Sequence, residues 1–194
     1  MAFYPDRICQ ILGSEDPPAP PLAPTGTGTA GSFVCGCAAR SVLSIDTAAG
    51  TIEALSFVSN GCGYMVAAGR VLIKFFRHDE LSDLHGLDED EVVGRVAAAL
   101  GGLPADRVHC ARVAVEALQA AFADHRQKQV DEFRGERALV CTCFGISEDT
   151  IEEIVAGGSV RSVEEITSVC RAGAGCGSCR MIIADMIDEH FHQK

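Results

Sequence analysis

Ten cysteines in 194 residues constrain this chain more than any other feature. Eight of them fall into two spaced sets: Cys35, Cys37, Cys62 and Cys110, then Cys141, Cys143, Cys176 and Cys179. The compartment decides how such a count is read, because thiols pair in oxidising surroundings and stay reduced in the cytosol. The start, Met1-Ala2-Phe3-Tyr4-Pro5-Asp6-Arg7, has no basic stretch followed by an apolar one, so no secretory signal is expected. No apolar run approaches the ~18 residues that span a bilayer. The best stretches, 64–69 and 71–76, are broken by Arg70 and Lys74. A cytoplasmic location is expected, and there many cysteines point to metal or sulfur chemistry.

The C-terminal set is Cys141-Thr142-Cys143 and Cys176-Gly177-Ser178-Cys179, a CxC and a CxxC separated by a helical pair. Four thiolates need two close pairs brought together, each on a chain that can wrap the metal. Gly173, Gly175 and Gly177 let backbone N–H groups approach the sulfurs, where hydrogen bonds tune the potential. Zinc ribbons usually take two CxxC pairs, so this spacing favours iron–sulfur over zinc. The N-terminal set is looser: Cys35-Gly36-Cys37, Gly61-Cys62-Gly63 and His109-Cys110. Each member sits at a junction, before a hairpin, between a strand and a helix, and at the start of a long helix. Three such junctions can converge on one edge of a small sheet. A helix N-terminus lowers a thiol's pKa and favours metal-bound or persulfide forms.

Around these sets the chain reads as two domains. Residues 1–30 hold most of the prolines without hydrophobic periodicity and are expected to be irregular. Gly26, Gly28 and Gly31 match the dinucleotide-binding glycine spacing, but neither a preceding strand nor a following helix is expected there. Residues 42–46 and 51–59 read as a hairpin, 63–76 and 89–100 as helices, and a long helix begins near Arg107. Residues 31–126 make the first domain, 127–138 a polar linker, and 139–194 a second domain of short helices, with Ser162 and Glu165 as a capping box. The fold class is therefore α+β: a small antiparallel sheet with helices packed on it, followed by a small all-α domain. With 27 acidic against 16 basic residues, a net charge of −11 and 6% aromatics, neither nucleic acid nor a membrane is an expected partner. Cys9 and Cys170 read as small buried thiols. His78, His85 and His125 read as solvated. His190 and His192 resemble a metal pair only by residue type.

Taken together these residues carry a resemblance. Val34-Cys35-Gly36, Gly61-Cys62-Gly63 and Leu103-Pro104-Ala105-Asp106-Arg107-Val108-His109-Cys110 make residues 27–126 similar to the IscU/NifU-type iron–sulfur cluster assembly scaffold. Residues 139–182 resemble the 2Fe–2S domain of bacterioferritin-associated ferredoxin. The order, scaffold then ferredoxin domain, is that of the NifU family. The resemblance implies that Cys35, Cys62 and Cys110, with His109 nearby, hold a transient Fe–S cluster or iron. It implies that Cys141, Cys143, Cys176 and Cys179 hold a permanent 2Fe–2S cluster. It further implies a non-enzymatic scaffold, a cysteine desulfurase as sulfur source, apo iron–sulfur proteins as acceptors, and a homodimer.

Four departures set this chain apart from the family. Cys37 stands where the family has an Asp linked to cluster lability, giving a fourth thiolate that can retain the cluster or relay sulfur. The fourth ligand of the N-terminal site is Cys37 or His109. The chaperone-binding LPPVK is matched only by Leu103 and Pro104. The N-terminal helix is expected to be replaced by the proline-rich segment, and no counterpart of the family's third, CxxC-bearing domain is expected. Two alternatives use the same residues: a SufU-like sulfur acceptor with zinc in the N-terminal site, and a ferredoxin-type electron-transfer module.

Overall fold

The computed structural model describes residues 4–14, 18–84, 87–132 and 138–192. These residues divide into two compact units, the first drawn mainly from residues up to His125 and the second mainly from Arg126 onward.

The first unit begins with helix α1 (Asp6–Leu12) and a three-stranded sheet, β1 (Gly26–Gly31), β2 (Ala38–Asp46) and β3 (Thr51–Ser59), in the order β1-β2-β3. β1 runs antiparallel to β2, with Gly26 opposite Leu43 and Gly31 opposite Ala38. The short turn 47–50 joins β2 to β3, as a hairpin requires. Helices α2 (Gly63–Phe76), α3 (Glu89–Ala99) and α4 (Val108–Glu132) follow. Alternation on β2 buries Ala39, Ser41, Leu43 and Ile45, and α2 adds Met65, Leu72 and Phe76 to the core. Asp88 caps α3 by accepting from the N–H groups of Asp90 and Glu91. No helix among the described residues is long and apolar enough to cross a membrane.

Residues 1–30 differ from the irregular segment expected. Helix α1 is present, anchored by Ile8 (0% exposed), and its last carbonyls are taken up by Arg70, whose Nη1 donates to Ile11 O at 2.9 Å and Leu12 O at 3.0 Å. The N-terminal helix is thus retained ahead of the prolines, not replaced by them. Strand β1 carries almost no apolar signal because its glycines serve packing. A Cβ on Gly28 would strike the backbone of Ala117 and Ala121 on α4, so the strand lies directly against that helix. This approach explains Gly26 and Gly28; a Cβ on Gly31 would meet only Cys37 O, at an ordinary 3.5 Å. Helix α4 continues to Glu132, so the start of the expected 127–138 linker is helical.

The second unit contains a two-stranded ribbon, β4 (Leu139–Cys141) with β5 (Ile146–Ser147), and helices α5 (Glu148–Ala156), α6 (Val163–Cys170) and α7 (Arg180–His192). Ile151, Ile166 and Ile183 form its core together with Cys141, Cys143 and Cys179. The ribbon is an addition to the helical pattern read from the sequence. The expected capping box on α6 is present: Ser162 Oγ accepts from Glu165 N–H, and the Glu165 carboxylate accepts from Arg161 N–H at 2.6 Å and Ser162 N–H at 3.2 Å. The Arg161 contact above all holds the Glu165 pKa below its ordinary value. A lowered folded-state pKa means this contribution is full above the unfolded value and is lost as pH falls through the folded one. Ser162→Ala removes the acceptor for Glu165 N–H and should lower stability by about 1 kcal/mol at neutral pH, the ordinary cost of a lost N-cap. Thermal unfolding should show that deficit shrinking in acid, because the same fall in pH protonates the box's second member.

Candidate metal centres

Three junctions of the first unit meet as the spacing implies. Cys35 and Cys37 lie in the loop between β1 and β2, Cys62 is the N-cap residue of α2, and His109 and Cys110 open α4. Cys35 Sγ is 3.0 Å from Cys37 Sγ and 3.4 Å from His109 Nε2. Cys110 Sγ is 3.7 Å from Cys62 Sγ and 3.6 Å from His109 Nε2. All five expected site residues are thus joined by one chain of contacts. Local hydrogen bonds explain why the loop holds this shape. Ser32 N–H donates to Cys37 O at 2.8 Å, and Gly36, at φ 68°, donates its N–H back to Ser32 O at 2.8 Å. Asn60 Oδ1 accepts from Ala38 N–H at 2.7 Å and Ser59 Oγ donates to Ala38 O at 2.7 Å, tying the loop's exit to the end of β3 beside Cys62. Tyr4 accepts from Gly63 N–H at 2.9 Å, supplying the start of α2 with a partner.

Burial makes these thiols unequal. Cys35 is exposed, Cys62 is half-buried, and Cys37 and Cys110 are buried. The hydrogen bond from Cys37, above all, lowers the Cys35 pKa to about 6. Burial and the neighbouring Cys35 push Cys37 up to about 11. Cys110 is pushed up to about 12, first by burial and then by the neighbouring Cys62 charge. The lowering expected from a helix N-terminus is therefore overridden at Cys110, because desolvation of a buried thiolate outweighs a partial dipole charge.

The second set is equally compact. Cys143 Sγ donates to Cys176 Sγ at 3.4 Å, and Cys176 also contacts Ser178 Oγ at 2.9 Å. Cys141 and Cys179 form the second hydrogen-bonded pair. Within each pair one sulfur is favoured as thiolate. The bond from Cys143 lowers Cys176 to about 4, and the bond from Cys179 lowers Cys141 to about 6, helped by N–H groups of Gly173, Phe144 and Cys143. Cys143 and Cys179 are shifted upward by the same bonds and by burial.

The second donor set falls into two close sulfur pairs, Cys143 with Cys176 and Cys141 with Cys179. Among the described residues, no group of three or more His, Cys, Asp or Glu side chains is set to hold a single metal ion as it stands. A tetrahedral metal with sulfurs at ~2.3 Å holds two of them roughly 3.8 Å apart. The Cys62–Cys110 and Cys143–Cys176 separations of 3.7 and 3.4 Å are close to that span. A 2Fe–2S cluster takes four cysteines, two on each iron, which is a set of pairs. The second site also has a cradle. A Cβ on Gly175 would sit 2.9 Å from Cys143 Cβ and 3.0 Å from its Sγ. Gly175→Ala should therefore displace Cys143 and weaken iron retention ~10-fold or more, read as iron and sulfide surviving a chelator challenge.

Several residues fall elsewhere than expected. Cys9 is exposed, not buried, and its Sγ donates to Tyr4 O at 3.4 Å, because α1 turns it outward. His125 is buried (2% exposed), not solvated, since the charges around it in sequence lie on other faces of α4. Cys170 is half-buried, bonds Ile166 O, and is shifted upward by burial. His78 is exposed, and His85 lies outside the described residues. His192 Nδ1 donates to Asp188 O at 2.8 Å, a helical contact within its own turn. The supporting residues Tyr4, Ser32, Ser59 and Asn60 were not legible as part of the site. Their only signal was polarity beside a cysteine or a turn.

Comparison with known proteins agrees with both halves. Residues 12–132 match the NifU-like N terminal domain, and residues 139–189 match the BFD-like [2Fe-2S] binding domain. A nitrogen fixation protein NifU from Trichormus azollae is 30% identical over 197 residues, covering 97% of this chain. The chain spans 64% of that relative's length. A NifU from Leptolyngbya boryana is 43% identical over 100 residues, 51% of this chain and 49% of its own. The crystal structure of a NifU-like N-terminal protein from Brucella abortus shares the fold at a TM-score of 0.50 and 16% identity, covering 64% of this chain and 95% of that one.

Proposed function

The chain belongs to the NifU family, and on that premise we propose that it is a non-enzymatic scaffold that builds a transient iron–sulfur cluster and passes it to apo-proteins. The observation that carries this reading is the convergence of Cys35, Cys37, Cys62, His109 and Cys110 from three junctions onto one partly exposed site. Cys35, exposed and favoured as thiolate, leaves this site open to an incoming donor and to release.

The chemistry follows from exposure. A persulfide on a cysteine desulfurase presents its terminal sulfur, and a scaffold thiolate attacks it, releasing the donor's thiolate and keeping the sulfane sulfur. Cys35 is the exposed thiol of the set and the one favoured as thiolate. Ferrous iron is then held among Cys35, Cys37, Cys62 and Cys110 with His109 beside them, and reduction of the sulfane to sulfide completes the cargo. In the second unit Cys141, Cys143, Cys176 and Cys179 fit a resident 2Fe–2S group, which supplies one-electron chemistry when bound. Backbone N–H groups of Gly173 and Phe144 stabilise negative charge on Cys141 there. The reading includes a cytoplasmic location, a desulfurase partner, apo iron–sulfur acceptors, and a homodimer in which two half-sites can share a larger cluster.

The test is direct passage. The chain is loaded with a desulfurase, cysteine and ferrous iron, then offered an apo-ferredoxin with a chelator present to trap free iron. The reading expects the acceptor to gain its cluster while the second unit's visible absorption stays. Iron delivered only to the chelator would overturn it.

A further inference from the structure

The sulfur arriving at a scaffold is sulfane, and a cluster needs sulfide; two electrons must come from somewhere. We infer that Cys37 is the resolving thiol that supplies them, attacking the persulfide formed on Cys35 and releasing its outer sulfur as sulfide. This step rests on the scaffold reading and deepens it at the same site.

The geometry is asymmetric in the way such a pair requires. Cys35 is exposed and can be reached by an incoming donor, whereas Cys37 is buried, at 8% exposed, with its sulfur against that of Cys35. Their sulfurs are 3.0 Å apart, well inside the roughly 3.8 Å that a shared tetrahedral metal sets. The two sulfurs are in direct contact, so a closure of about 1 Å brings them to the ~2.05 Å of a disulfide. Cys37 Sγ lies against the inner sulfur, Cys35 Sγ, so attack there makes the Cys35–Cys37 bond and expels the outer sulfur. The loop is already folded for closure, with Ser32 N–H on Cys37 O and Gly36 N–H on Ser32 O holding the two cysteines on one turn.

The step balances. The S–S bond of the Cys35 persulfide breaks and the Cys35–Cys37 bond forms. The outer sulfur leaves as HS⁻, carrying the proton that Cys37 gives up. The sulfane sulfur is reduced by two electrons, and the two cysteine sulfurs together are oxidised by two. A dithiol or small-thiol reductant then restores both thiols, and they are free to ligate iron. An Asp at position 37 cannot perform this step, so the Cys at this position gives the chain its own source of sulfide.

The experiment uses the full chain under nitrogen with a desulfurase and limiting cysteine, without iron or added thiol. Wild type should release one sulfide for each sulfane sulfur delivered and lose two hydrogens in mass, with fragment spectra locating the bond between Cys35 and Cys37. Cys37→Ser should retain the sulfur, gaining one sulfur atom in mass, and release sulfide about tenfold less. Persulfide accumulating on wild type without sulfide would overturn the resolving role while leaving sulfur acceptance, and so the scaffold, standing. A chain that accepts no sulfur at all would overturn both.

Discussion

Cys37→Asp should speed cluster transfer to an apo-acceptor by ~10–100-fold, the range over which a metal site's affinity responds when its immediate support is altered. Cys37 is buried, and its sulfur lies within contact of Cys35. On the scaffold reading, a thiolate there would add a soft ligand from a residue that is only 8% exposed. A carboxylate at the same position is a harder and weaker partner for iron beside sulfide. The cluster on the variant should also be lost faster to a chelator. Transfer rates followed by circular dichroism of the acceptor decide the matter. Unchanged or slower transfer would show that Cys37 does not retain the cluster, whatever its part in making sulfide.

The second large effect concerns the frame that carries the site. Gly28→Ala should destabilise the first unit by about 3 kcal/mol, the upper end of ordinary overpacking. The added methyl would meet backbone atoms of Ala117 and Ala121, and backbone cannot rotate away as a side chain can. Either β1 lifts from α4 or the helix moves, and α4 carries His109 and Cys110 in its first turn. Chemical denaturation should show the loss, and reduced iron loading at temperatures where the variant is still folded should accompany it. A variant as stable as wild type would mean that β1 does not rest on α4 as closely as Gly28 implies.

The parts of this molecule that were legible from sequence are those with an apolar period or a capping pattern. Helix α2 spans the residues its periodicity marks, and Ser162 with Glu165 caps α6 as their spacing requires. The two thiol sets were legible because close pairs at chain junctions have few other uses. Strand β1 was not, because Gly-Thr-Gly-Thr-Ala-Gly has no hydrophobic face. It is a strand through its ladder to β2 and its contact with α4, both tertiary. Helix α1 was hidden for a similar reason: it is one short turn pattern, completed by Arg70 from far along the chain. The burial of His125 is hidden in the sequence because neighbours in sequence are not neighbours on a helix face. At the site itself the cysteines could be named but not their inequality. Which thiol is exposed and which is sheltered depends on the Ser32–Cys37 loop, and that loop is closed by hydrogen bonds no spacing reveals.

The most direct test of the scaffold is a count of iron, acid-labile sulfide and zinc per chain, taken anaerobically before and after incubation with a desulfurase, cysteine and ferrous iron. The account predicts about two irons at rest, from one filled 2Fe–2S site, rising together with matching sulfide as the first unit fills. Iron that stays fixed while about one zinc per chain persists, as for a single tetrahedral site, would contradict it.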